Sequence, residues 1–561
     1  MKKTRRFASL ATAAILAACA VVPATMSALP VSAADYTITV KNSTQDADHT
    51  YGAYQIFTGD LSESTLSNIK WGTGVDSTKL LDKLEKSTIA TTDGSTLGEK
   101  ITALGENPTA IAVAEVLAKI EDNSANAEAM AKLFDGCLTT TKTELAKGAS
   151  GADGTTYTAS VPSGYYLIRD DKAVTGQDSA TKFILQVVKN VEVSPKSDTP
   201  TLTKEIKHNE TNEWGVVGDN QIGDTVNYRI TTTMPDPAYV KYFGNAGDTY
   251  SYVIHDKMTA GLDFNKNTVT ITLGGETVDA KFYTVSDSCG HTFTTDLKTG
   301  QNAGESFDIT FDMDGILADK TLSAVATKGA QFVVTYDCTL TTAALVASSA
   351  DDDNNSNDNT TYLEFSNNPY DTTNTGKTPE VTVYDWTFTY DVTKYANSVA
   401  DENKLAGAGF TIYDGETALK FSKPDTSKEE YVVDPAGTIT EITTTASGTF
   451  RLKGLDDGKT YTMKETTVPE KYNKCADITF KISDTYDGTP EGKTLATLTA
   501  ENKQGETTLS AGNAVDVINK SGSTLPSTGG IGTTIFYVAG GVLVVGAGVL
   551  LITKKRAKDA Q

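Results

Sequence analysis

Three short segments in the last third of the chain end apolar rows with a lysine, a glutamate and an asparagine. In Phe388-Thr389-Tyr390-Asp391-Val392-Thr393-Lys394 the two-residue period of a strand groups Phe388, Tyr390, Val392 and Lys394 on one face, apolar but for the lysine. The same parity groups Tyr461, Met463 and Glu465, and then Val515, Val517 and Asn519. A lysine among apolar side chains is driven toward its free amine, and a carboxyl toward its protonated form, because burial penalises charge. A free amine is a nucleophile. A protonated Glu465 can polarise the Asn519 amide and carry protons while ammonia departs. The product is an intramolecular Lys-Asn isopeptide bond between the first and last strands of one domain. Parity alone leaves a second reading open, in which Lys394 lays its stem on the apolar face and carries its ammonium to water.

An aspartate version stands upstream. Leu202, Lys204 and Ile206 share a face, as do Tyr252, Ile254 and Asp256, and then Leu363, Phe365 and Asn367 just before Asn368-Pro369. Lys204, Asp256 and Asn367 are therefore the expected second set, and the rivals Lys207 and Asn368 have the opposite parity. This chemistry is self-directed and happens once. The four histidines, His49, His208, His255 and His291, are scattered, and there is no phosphate loop, zinc spacing or G-x-S-x-G. The expectation is no enzyme, no cofactor and no metal. The acidic run 351–359 has some Asp/Asn spacing of a calcium loop but lacks its Gly and terminal Glu, and reads as a solvated loop.

The elements that must position these groups fall into a mainly β chain. Residues 1–34 open with Lys2, Lys3, Arg5 and Arg6, continue through an apolar stretch and end in small residues at Ser32-Ala33-Ala34, the pattern of a cleaved signal peptide with Asp35 as mature start. Leu16-Ala17-Ala18-Cys19 also fits a lipoprotein box, an alternative that would lipidate Cys19. Residues 35–195 form a small mixed α/β N-terminal domain, with helices expected over 109–120 and 125–133 and strands over 164–168 and 183–193. Residues 196–380 and 381–520 read as tandem immunoglobulin-like β-sandwiches. Residues 521–561 hold Leu525-Pro526-Ser527-Thr528-Gly529, an uncharged run over 530–553 long enough to cross a bilayer, and the basic Lys554-Lys555-Arg556. The net charge of −23 excludes nucleic acid and anionic membrane surfaces as partners. Among the five cysteines, Cys289 and Cys338 share one block and are expected to pair in an oxidising compartment, while Cys137 and Cys475 read as buried thiols.

Several of these segments resemble one family. Leu525-Pro526-Ser527-Thr528-Gly529 with the span and basic tail resembles the sorting signal of Gram-positive surface proteins, in which a sortase cleaves between the Thr and the Gly. Tyr461-Thr462-Met463-Lys464-Glu465-Thr466-Thr467-Val468-Pro469-Glu470-Lys471-Tyr472 resembles the E-box of pilin B-type domains, departing from it at Met463, Val468 and Lys471. Leu405-Ala406-Gly407-Ala408-Gly409-Phe410 is similar to the second-strand signature of those domains. The second sandwich resembles the A-type domain, where Asp replaces Glu. Val191-Glu192-Val193-Ser194-Pro195-Lys196 resembles the pilin motif, with Val187 where Trp and Ser194 where Tyr would stand. The resemblance implies the shaft subunit of a covalent pilus. Thr528 of one subunit would be joined to Lys196 of the next by a pilin-specific sortase, and a housekeeping sortase would attach the base to peptidoglycan. It further implies tip and base pilins and host surface ligands as partners. The alternative is a monomeric sortase-anchored adhesin, which needs the anchor and the sandwiches but not Lys196.

Overall fold

Buried and exposed residues alternate along most strands, as one-sided packing of a pleated ribbon requires. Over Thr225–Thr233 every second residue is buried, and the same holds for most of Gln331–Leu340. The computed structural model describes residues 35–522 and 531–558, apart from 43–48, 63–64, 121–123, 152–153, 173–181, 188, 194–198, 246–248, 287–302, 351–354, 369–374, 488–492 and 510–511.

The first domain has two sheets and a helical layer. One sheet runs Ala146–Gly151, Gly154–Pro162, Asp35–Asn42, Val191–Val193; the other runs Thr65–Trp71, Tyr51–Ser62, Gly164–Asp170, Lys182–Val187. Alternation splits the second sheet between two cores: Tyr166 and Ile168 pack toward the first sheet, while Tyr165 and Leu167 pack toward the helices. The helices expected from sequence are Ala110–Leu117 and Ser124–Asp135. Two more accompany them, Ser77–Glu85 capped by Asp76 and Leu97–Thr102 opened by a capping box between Thr96 and Glu99. The expected strand over 183–193 is two strands, Lys182–Val187 and Val191–Val193, in different sheets.

The second domain packs a six-stranded sheet centred on Thr225–Thr233 and Gln331–Leu340 against a seven-stranded one centred on Asn357–Phe365 and Tyr252–Thr259. Its boundary differs from the sequence reading. Val381–Trp386 pairs with Asn357–Phe365 and with Val217–Asp219, so the second domain runs through Trp386 and the third begins with Phe388–Ala396. Residues 357–359, expected in a solvated loop, open a buried strand. The third domain packs a five-stranded sheet, in which Phe388–Ala396 lies between Thr449–Leu455 and Ala514–Asn519, on a seven-stranded sheet containing Gly409–Asp414 and Thr460–Thr467. The second and third domains share one continuous hydrophobic core.

Ile531–Lys558 forms a helix whose segment Ile535–Arg556 is 22 residues long and apolar up to its closing Lys554-Lys555-Arg556. At 1.5 Å per residue that is about 33 Å, the thickness of a bilayer's hydrocarbon core.

Candidate isopeptide sites

Phe388–Ala396 and Ala514–Asn519 pair in parallel, with Lys394 opposite Val517 and Ala396 opposite Asn519. Both side chains turn into the core, where Glu465 arrives from Thr460–Thr467 on the facing sheet. Lys394, Glu465 and Asn519 are all essentially without solvent exposure. Lys394 Nζ donates to Asn519 Oδ1 and lies 3.3 Å from Glu465 Oε1. Asn519 Nδ2 donates to the same Glu465 oxygen at 2.7 Å, and the other oxygen accepts from the backbone N–H of Cys475 at 2.8 Å. Phe410 closes one side, its ring centre 5.3 Å from the lysine nitrogen. Burial is the largest influence on Lys394 and moves its pKa down, against Cys475 and Glu465, which favour the ammonium. Burial also pushes the Cys475 thiol up to about 11, so it stays protonated beside the lysine. The three residues grouped by parity are thus brought together, and the structure adds Cys475, which carried no periodic mark in the sequence.

In the second domain Lys204 and Asp256 also meet, fully buried, with Lys204 Nζ donating to Asp256 Oδ2. The asparagine is a different one. Lys204 Nζ donates to Asn359 Oδ1 at 2.8 Å, not to Asn367. Asn359 stands opposite Met258 and Asp256 opposite Thr361, which makes Asn359 and Asp256 diagonal neighbours on one face. Asn367 lies eight residues on, roughly 26 Å along an extended strand, where its carbonyl accepts from the Tyr239 hydroxyl at 2.9 Å. The two asparagines have the same parity, so periodicity could not separate them. Tyr336 is the further member. Its hydroxyl donates to Asp256 Oδ2 at 3.0 Å and accepts from Lys204 Nζ at 2.8 Å and Asn359 Nδ2 at 3.0 Å. Burial lowers the pKa of Lys204 and raises that of Asp256, so each is moved toward its neutral form.

The other expected residues are less fully placed. Lys196, Leu525, Pro526, Thr528, Gly529 and Cys289 lie outside the described residues. Val191–Val193, which runs parallel to Asp35–Asn42, ends just before Lys196. Cys338 is buried in the second domain beside Met258, 3.8 Å between sulfurs. Cys137 and Cys475 are buried, as expected.

Residues 390–494 match the SpaA prealbumin-like fold domain, and residues 518–559 match the LPXTG cell-wall anchor motif. The chain is a Gram-positive cell-wall-anchored surface protein. The surface protein's apolar helix follows directly on the sorting motif, as such an anchor requires. No curated protein matches its sequence. Similar solved structures include the T6 backbone pilin of Streptococcus pyogenes, at 15% identity, 87% of this chain, 99% of that one and a TM-score of 0.48. The major pilin SpaD of Corynebacterium diphtheriae gives 16%, 87%, 98% and 0.44. The major pilin BcpA of Bacillus cereus gives 13%, 87%, 100% and 0.41.

Proposed function

We propose that this surface protein is a shaft subunit of a covalently assembled pilus, its second and third domains each locked by an internal Lys-Asn isopeptide bond. The observation that supports this most directly is the burial of Lys394 and Lys204, each against both a carboxyl and an asparagine in an apolar core. A lysine and a carboxyl are costly to bury, and a cross-link that consumes the amine accounts for keeping two such sets. In the third domain the Lys394 amine attacks Asn519 Cγ. The Nζ–Cγ bond forms, the Cγ–Nδ2 bond breaks, and Glu465 carries a proton from Nζ to the departing nitrogen, which leaves as ammonia. Lys204, Asp256 and Asn359 do the same in the second domain, with the Tyr336 hydroxyl holding all three groups in register.

Between subunits, a sortase thiolate takes the Thr528 carbonyl and releases the segment from Gly529 onward. The Lys196 amine of a neighbouring subunit then displaces the enzyme. Repetition gives a head-to-tail homopolymer, an open heterologous assembly, whose last subunit passes to peptidoglycan. The test is a denaturing gel of wall extracts from strains carrying the wild type or Lys196→Ala. The expected result is a boiling-resistant ladder that collapses to monomer in the variant. A ladder that persists moves the acceptor to another lysine. Monomer in both strains, with wall attachment intact, refutes the polymer and leaves the single-subunit adhesin.

A further inference from the structure

The joint between the second and third domains holds a group of carboxylates that neither isopeptide site uses. Asp219 ends the strand Val217–Asp219 of the second domain, where it stands opposite Trp386. Asp456 and Asp457 come from the third domain, in the turn between Thr449–Leu455 and Thr460–Thr467. One carboxylate oxygen from each lies within 4.8 Å of the others. Asp219 is 1% exposed and Asp456 0%. Asp484 adds a further carboxylate nearby, its Oδ2 accepting from the Tyr486 hydroxyl.

The partners of these oxygens are what distinguish the group from an ordinary acidic patch. Asp456 Oδ2 is satisfied by Asn209 Nδ2 at 2.8 Å and Lys459 Nζ at 3.1 Å. Among the described residues neither oxygen of Asp219 has a hydrogen-bond donor, nor does Oδ1 of Asp456, of Asp457 or of Asn209, although these atoms are buried. The nearest cation-forming group to Asp219 is the His208 ring, 3.4 Å away. Among the described residues Lys459 is the ammonium paired with Asp456, and it is shared with Asp224 at 2.7 Å. A buried carboxylate without a donor is among the most costly arrangements a fold can keep, and here Asp219 is one, with an unpaired oxygen each from Asp456 and Asp457 beside it from the other domain.

We propose that Asp219, Asp456 and Asp457 form a divalent-cation site, calcium by its donor chemistry, that clamps the second domain to the third. The donors are all oxygen, which selects a hard cation over zinc or copper. No two of these oxygens are farther apart than 4.8 Å, the widest separation that two ligands of one ion can have at the usual calcium–oxygen distance of about 2.4 Å. Three carboxylates against a divalent ion also answer the electrostatic problem, since burial otherwise pushes Asp219 and Asp456 toward their protonated forms. The surrounding joint is already close-fitting. Ile222 N–H donates to the Gly454 carbonyl at 3.0 Å, the Tyr461 hydroxyl donates to Gln221 Oε1 at 3.0 Å, and Gly458, at φ 64°, leaves room for Glu210, which a Cβ there would strike. An ion in this place adds a bond between domains that depends on calcium outside the cell, and it does not depend on polymerisation.

The test uses the secreted ectodomain, stripped with chelator at pH 7.4, as wild type, Asp219→Asn, Asp457→Asn, and a triple Asp351→Asn, Asp352→Asn, Asp353→Asn control. Terbium luminescence excited through the nearby Trp386 and Tyr486 reports the ion, and calorimetry with calcium gives stoichiometry and affinity. The expected result is one calcium per chain with Kd on the order of 10⁻⁴ M or tighter, at least tenfold weaker in both joint variants and unchanged in the triple control. Asp457 is only partly buried, so its variant retains the fold, and an unchanged loss of ammonia in intact mass verifies that. Absence of binding in the wild type at millimolar calcium, or binding lost only in the triple control, would overturn the proposal.

Discussion

Replacing Glu465 by Gln separates the chemistry of the third domain from its packing. Gln occupies the same space and can still accept one of the two hydrogen bonds that reach Glu465 from Asn519 and Cys475, but it has no acidic proton to pass. The Lys394–Asn519 bond would close a loop spanning 125 residues of sequence. In the chain-entropy picture a loop of that length narrows the unfolded ensemble by about 16 cal/mol/K, or about 5 kcal/mol at 25 °C. For a domain of roughly 130 residues, with an unfolding entropy near 0.27 kcal/mol/K, this corresponds to a Tm roughly 18 °C higher. The lost hydrogen bond adds about 1 kcal/mol, roughly 4 °C. Intact mass of the denatured, reduced ectodomain separates the two contributions. The wild type should fall short of its calculated mass by two ammonia molecules and Glu465→Gln by one, with the third domain's calorimetric transition lowered by about 20 °C. A variant that still lacks both ammonia molecules, or a wild type that lacks none, refutes the reasoning.

Two further outcomes follow from the same sites. Asn359→Ala should restore one ammonia to the mass of the ectodomain while Asn367→Ala leaves both missing; the reverse pattern would mean the register between Tyr252–Thr259 and Asn357–Phe365 is not the one described. In Glu465→Gln the Lys394 amine persists, and burial holds its folded pKa below the unfolded 10.5. The unfolded chain then binds more protons between those two values, so stability rises with pH toward 10.5 and falls as pH drops, by at most about 1.4 kcal/mol per pH unit. Urea unfolding of the variant at pH 7, 8 and 9 measures that slope, and a flat or opposite trend would show that Lys394 is not buried as a neutral amine.

Most of the third domain was legible because its strands obey a period of two and its chemical residues sit in the same parity as its apolar ones. Lys394, Glu465 and Asn519 needed no tertiary information to be grouped. The second domain failed at one residue for a physical reason. Asn and Asp are poor strand formers, so 351–359 read as a loop. Yet Asn357 is held in a central strand by bonds to the backbone of Leu345 at 3.0 and 3.1 Å, and Asn359 by Lys204 and Tyr336. Side-chain partners contributed by distant strands outweighed local propensity. The helix Leu97–Thr102 was announced by Thr96 and Glu99 at capping-box spacing, a signal present in the sequence but too short to stand out beside the longer helices. The carboxylates at the joint had no local signature, because Asp219 and Asp456 meet only when two domains dock.

Where the two candidate cross-links sit along the chain decides which residues would feel a pull. With both bonds closed, tension entering at Lys196 would follow the backbone to Lys204, cross to Asn359, continue to Lys394, cross to Asn519 and leave through Thr528. The enclosed loops and the whole first domain would hang from this line without bearing on it. The unprotected stretch is 359–394, in which Asn357–Phe365 and Val381–Trp386 run antiparallel with Asn359 opposite Val383. A pull on the ends of such a pair peels its hydrogen bonds one after another instead of shearing them together. Drawn straight, those 35 residue steps reach about 120 Å. Each subunit would then act as a spring with a fixed stop, giving way by one set length before the covalent line goes taut. A step of that length, less the distance already spanned between Asn359 and Lys394 in the fold, is its signature in a single-molecule stretching trace, and a rigid trace would place the strain elsewhere.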